Sequence, residues 1–97
     1  HLRRARKIIK SEREYMYIKI NNKLSSFSAN ESDVNYYLIQ LHHGNSTQIR
    51  NLLLKKNGIL VRDCSDFKGI NDKYIRVAVK THDENLELLH SLETIDK

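Results

Sequence analysis

Apolar positions in this chain change rhythm several times, and each change marks an element. Residues 2 to 24 hold no Gly or Pro and carry Leu2, Ala5, Ile8, Ile9, Tyr15, Met16, Ile20 and Leu24. That spacing is mostly one helical stripe and predicts a helix. Ser25 to Asp33 is small and polar with Phe27 as its anchor, which reads as a short strand plus a turn. Val34 to His42, VNYYLIQLH, is β-branched and aromatic and suits a central strand.

Gly44-Asn45 ends that strand. Asn45, with Gln48 three residues later, resembles a cap for a helix from Thr47 to Lys56, buried through Ile49, Leu52 and Leu53. Asn57-Gly58 stops it, since glycine accepts the left-handed geometry that helix ends often need. Ile59 to Cys64 then predicts a strand, Ser65 to Asp72 a loop, and Tyr74 to Lys80 a second strand with alternating faces. Thr81 and Glu84 form a T-x-x-E capping box, with Asp83 adding negative charge to the first turn of a last helix. Leu86, Leu89, Leu92 and Ile95 give that helix its apolar side. The predicted order is α-β-β-α-β-β-α, an α/β two-layer sandwich whose small mixed or antiparallel sheet is covered by helices on one face.

Two arginines break the apolar pattern. Arg62 and Arg76 lie in neighbouring strands otherwise built from Ile, Val and Leu. A guanidinium does not titrate away, and burying it unpaired is expensive, so each side chain either reaches water or holds an anion. On the last strand Ile75, Val77 and Val79 share one face, while Tyr74, Arg76, Ala78 and Lys80 share the other. If the Ile-Val face meets the helices, Arg76 points away from them. From the residues alone two readings stand: surface pairing with Asp63 or Asp66, or a fork of two guanidiniums gripping a phosphate or carboxylate.

Composition narrows the classes. The chain has 97 residues, 39% hydrophobic and 30% charged, which suits one soluble domain with one core. Its apolar runs are far shorter than the roughly 20 residues of a membrane span, and no signal peptide is visible, so a cytoplasmic location is the expectation. The formal charge of +5 is uneven. Residues 1 to 24 hold eight Lys or Arg against Glu12 and Glu14, and the remainder is nearly balanced. A basic helix can neutralise phosphates, yet a solvated face or an acidic partner explains the same run, and no base-reading motif accompanies it. A stand-alone module binding nucleic acid or an acidic protein through Arg3, Arg4, Arg6 and Lys7 therefore stays as an alternative.

Other candidate chemistry is thin. Cys64 is the lone cysteine, so no internal disulfide forms, and no His or Asp is placed locally to activate it. His42 and His43 are adjacent on a predicted strand and so face opposite ways, and His82 and His90 lack ligand partners at metal-site spacing. No metal is expected. None of the three glycines forms a phosphate-cradling motif.

Longer stretches resemble a known family. ILVRDC at Ile59 to Cys64, FKG at Phe67 to Gly69, and YIRVAVKTHDEN at Tyr74 to Asn85 followed by LELL look like the carboxy-terminal end of pyridoxal-phosphate enzymes of the aspartate-aminotransferase fold. Within that group the chain is most similar to threonine-phosphate decarboxylases of cobalamin synthesis and to histidinol-phosphate aminotransferases. The R-x-C element followed by F-x-G favours the decarboxylase branch. VNYYLIQL resembles the family's A-N-Y/F strand, with Val34 where alanine is commoner. The resemblance covers residues 34 to 92.

The resemblance implies a single domain over residues 1 to 97, with 1 to 24 as an interdomain helix and 25 to 97 as the sandwich. Arg76 matches the arginine that receives the substrate's acidic group, and Arg62 matches a second arginine used with phosphorylated substrates. Asn35 and Tyr36 match positions near the same region, with no contact assigned. The cofactor, pyridoxal phosphate, would be held by a large domain that these residues do not include. The expected partners are that domain, a phosphorylated amino-acid substrate and, at full length, a second copy of the chain. No catalytic residue, no cofactor-binding residue and no turnover are expected from these 97 residues alone.

Overall fold

The computed structural model describes residues 2–31, 35–63 and 72–96, and the side chains within them apart from those of residues 2–5, 31 and 63. Cys64, Asp66, Phe67, Gly69 and Val34 lie outside the described residues, as does most of the expected loop between the last two strands.

Seven elements appear in the expected order: α1 (Leu2–Lys23), β1 (Phe27–Glu31), β2 (Tyr36–Leu41), α2 (Ser46–Asn57), β3 (Arg62–Asp63), β4 (Tyr74–Ala78) and α3 (His82–Ile95). The strands form one antiparallel sheet in the order β1-β2-β4-β3. The core joins sheet to helices. Phe27, Ala29, Tyr37, Ile39, Leu41, Ile75 and Val77 project from one sheet face and pack with Met16, Ile20 and Leu24 of the α1 segment, Ile49 and Leu53 of α2, and Leu88, Leu89 and Leu92 of α3.

Local chemistry sets the helix ends. Asn45 caps α2 as expected, accepting from the Gln48 amide at 2.9 Å, and the helix begins at Ser46, one residue earlier than the sequence suggests. Gly58 closes it in the left-handed conformation, φ 66°, and the Gly58 and Ile59 amides donate to Leu54 and Leu53. Thr81 caps α3: its hydroxyl oxygen accepts from the Glu84 amide at 3.3 Å, and the hydroxyl donates to the Glu84 carboxylate at 2.9 Å.

Three expectations need correction. The strand expected from Ile59 begins only at Arg62, because the Ile59 amide is taken up by the end of α2 and Leu60 turns out to solvent, 70% exposed. The stripe on α1 is shorter than expected, with Ile8 exposed. A 22-residue helix runs about 33 Å, whereas the strands it covers run about 17–20 Å, so only its later turns meet the core. On α3 the buried line is Asn85, Leu88, Leu89, Ser91 and Leu92, which leaves Leu86 and Ile95 half-buried at its margins.

Polar ties fix the helices to the sheet. The Asn21 side chain accepts from the Ala29 amide at 2.9 Å and donates to the Ala29 carbonyl at 3.1 Å, so α1 pairs with the outer edge of β1. Glu12 joins α1 to α3, accepting from His82 Nδ1 at 3.0 Å and from Asn85 Nδ2 at 3.1 Å, with the Tyr15 ring edge-on to His82. At the opposite end of α3 the Asp96 carboxylate accepts from the Ser26 amide at 2.7 Å and the Ser25 amide at 3.0 Å.

Candidate functional site

The face of the sheet turned away from the core carries the candidate site. Register puts Leu38 opposite Arg76 on the β2 side, and Arg62 opposite Arg76 on the β3 side. Directly opposed residues of an antiparallel pair project to the same face with Cα atoms about 4.5–5.5 Å apart. The two guanidinium-bearing residues are therefore cross-strand neighbours. Arg76 is half-buried and Arg62 is exposed.

Pairing two cations across a ladder costs stability unless something negative sits between or beside them. Two forks side by side suit a phosphate dianion, because each offers planar N–H donors that match its oxygens. Tyr36, which the resemblance brings to this region without a contact, adds a third component. The Arg76 guanidinium carbon lies over the Tyr36 ring, 4.6 Å from its centroid. Tyr36 faces Ala78 in the register, so it reaches Arg76 diagonally across the ladder. The residue pattern itself shows that Tyr36 and Leu38 alternate onto one face, and locating Arg76 beside them needs the β2–β4 register. Asn35 takes part differently: its carbonyl accepts from the Val79 amide at 2.8 Å and holds the end of β4. The side chains of Asp63 and Asp66, the sequence's candidate surface partners for Arg76, lie outside the described set.

The remaining candidates are scattered. His42 and His43 follow β2 rather than lying on it. His42 Nε2 lies 2.7 Å from the Ser28 hydroxyl, while His43 lines a separate groove. That groove, about 530 Å³, is floored by Phe27, Ile49, Leu52 and Ile95, and neither arginine borders it. Among the described residues no cluster of His, Cys, Asp or Glu can hold a metal ion. No described helix is long and apolar enough to cross a membrane.

No protein-family model matches the chain. Individual proteins do. A protein of Caldanaerobacter subterraneus subsp. tengcongensis provisionally named threonine-phosphate decarboxylase is 36% identical over 93 residues, 90% of this chain and 25% of its own length. Histidinol-phosphate aminotransferase of Methanosphaera stadtmanae is 32% identical over 87 residues, 88% of this chain and 23% of its own. Among solved structures, L-threonine-O-3-phosphate decarboxylase from Porphyromonas gingivalis superposes with a TM-score of 0.83 at 22% identity, covering 89% of this chain and 26% of that one. Histidinol-phosphate aminotransferase from Clostridium acetobutylicum gives 0.81 at 27% identity over 90% and 26%.

Fold and sequence together define the chain as a small α/β domain of the fold-type I pyridoxal-phosphate enzymes. Within that class it belongs to the threonine-phosphate decarboxylase and histidinol-phosphate aminotransferase family, and it spans about a quarter of the length of the curated relatives it matches.

The described residues do not fit a pyridoxal phosphate site of their own. Holding that cofactor as an imine needs a lysine sheltered in a pocket with a phosphate cradle and an acid at the ring nitrogen. Every described lysine is at the surface except Lys19, half-buried beside the Tyr15 ring, and Lys73 donates to the Gly44 carbonyl at 2.6 Å.

Proposed function

We propose that these residues form the substrate-binding, carboxy-terminal small domain of a pyridoxal-phosphate-dependent enzyme acting on a phosphorylated amino acid, with Arg62 and Arg76 receiving the substrate's anionic group. The observation that carries the proposal is the register pairing of Arg62 with Arg76 on the open face of the sheet. A phosphate monoester is the ligand class that best uses two adjacent guanidiniums. A threonine-phosphate decarboxylase of cobalamin synthesis is the reading favoured by the R-x-C and F-x-G elements of the sequence; a histidinol-phosphate aminotransferase fits the same two arginines.

The chemistry belongs to a companion large domain that holds the cofactor, in a cytoplasmic enzyme that pairs as a homodimer. In that arrangement residues 1–24, which include α1, are the interdomain helix and residues 25–97 form the sandwich. Alone, the 97-residue chain binds phosphate weakly and turns over nothing. Nuclear magnetic resonance titration with inorganic phosphate and with O-phosphothreonine tests the site. We expect saturable shifts around β3 and β4, at least tenfold weaker in Arg76→Gln and weakened again in Arg62→Gln/Arg76→Gln. Phosphate shifts that ignore both substitutions would overturn the assignment. Sustained product from threonine phosphate plus pyridoxal phosphate would overturn the inactivity.

A further inference from the structure

We propose that Tyr36 is a positioning residue for this anion site: its ring holds the Arg76 guanidinium in place so that the N–H groups face the ligand position shared with Arg62. The inference rests on the reading of Arg62 and Arg76 as an anion site. It adds a group that the ligand need not touch.

Arginine has four rotatable side-chain bonds, and a guanidinium free to sample them loses that freedom when an anion is gripped. A strand position fixes only the Cα. What lies against the head group then decides where the N–H donors point. On the open face Arg76 is directly opposed by Leu38 on β2 and Arg62 on β3, with Tyr74 and Ala78 next to it along β4. Of the two tyrosines it is Tyr36, diagonal on β2, whose electron-rich ring face lies against the guanidinium, with the guanidinium carbon 4.6 Å from the centroid. Both residues are half-buried, which weakens competition from water and strengthens the contact.

This arrangement predicts dependence on the ring and not on the hydroxyl. In wild type the Arg76 side-chain protons should resonate upfield through the ring current of Tyr36, a signature that needs no variant. Tyr36→Phe should keep that shift and bind inorganic phosphate within about twofold of wild type, because a phenyl face also attracts a cation. Tyr36→Leu should abolish the shift and weaken binding about three- to fivefold. In the Arg76→Gln background the same leucine substitution should change phosphate binding no further. If Tyr36→Leu disturbs folding, judged by its thermal melt, Tyr36→Ile supplies the same loss of ring in a better strand former.

The outcomes separate the two claims. Phosphate binding that depends on Arg76 but is equal in wild type, Tyr36→Phe and Tyr36→Leu would overturn the role of Tyr36 and leave the anion site standing. An absent ring-current shift on Arg76 in wild type would also overturn it. Binding that is unaffected by Arg76→Gln would overturn the site and the positioning role together.

Discussion

The two faces of one sheet, carried by alternate residues of the same strands, differ in nearly everything. Toward the helices, Phe27, Ala29, Tyr37, Ile39, Leu41, Ile75 and Val77 are all buried and join one apolar cluster. Away from them, Ser28, Tyr36, Leu38, Gln40, Tyr74 and Arg76 stay half-buried, Asn30 and Ala78 are exposed, and Arg62 joins Arg76 as a second cation. Period-two alternation keeps the assignments apart, because no residue can serve both faces without a slip in register. One face holds the fold together, and the other is free to carry chemistry that costs stability.

That contrast makes ordered predictions. Ile39→Ala should cost about 2–5 kcal/mol in chemical denaturation, since Ile39 is fully buried between sheet and helices. The phosphate affinity of the folded fraction should not move, and a large loss of affinity would mean the faces are coupled. Tyr37→Phe should instead raise stability by about 1 kcal/mol, because the buried Tyr37 hydroxyl has no hydrogen-bond partner among the described residues. Burial also pushes the phenol's pKa up, so the ring stays neutral through the working pH range. A loss exceeding that amount would show a partner for the hydroxyl.

On the open face, Arg76→Gln should change stability by no more than about 0.5 kcal/mol while removing most of the phosphate response. A melt lowered as far as that of Ile39→Ala would move Arg76 into the structural half of the molecule. The smallest effect belongs to neither face. Burial raises the Asp96 carboxyl pKa, but hydrogen bonds from the Ser26 and Ser25 amides and hydroxyls outweigh it and hold the group below its ordinary 3.8. A carboxyl depressed on folding stabilises above its unfolded pKa, and that contribution fades as pH falls through the folded value. Asp96→Asn should therefore differ from wild type at neutral pH and converge with it as the pH drops below 3.8. A difference that persists in acid would point to packing rather than charge.

What was legible in the sequence follows the range of the interactions. Asn45, Gly58, Thr81 and Glu84 act within a turn of their own positions, and they were read at or within a residue of where the helices end. The facing of Arg76 needed only alternation along five residues. A fork of Arg62 and Arg76 on neighbouring strands is one of the two readings the sequence offers, but their direct opposition and the stacking of Arg76 on Tyr36 depend on the β3–β4 and β2–β4 registers, which no local pattern gives. The same holds for Asn21 against Ala29 and for Glu12 bridging to His82 and Asn85, pairs separated by 8, 70 and 73 residues. The expected strand from Ile59 starts late for a local reason that the sequence leaves ambiguous: behind a left-handed Gly58 the Ile59 amide turns back to donate to the Leu53 carbonyl, while Ile59 to Val61 still look like strand by composition.

The Asn21 carboxamide has a consequence for how copies of this chain meet. With one oxygen and one amide group it supplies Ala29 what a neighbouring peptide would, like a stopper cut to the width of a single residue. A strand arriving from another molecule finds that berth taken. Stacking into a continuous ribbon through β1 must first evict the stopper, and α1 with it, so the outer margin of β1 resists polymerisation by occupancy rather than by charge.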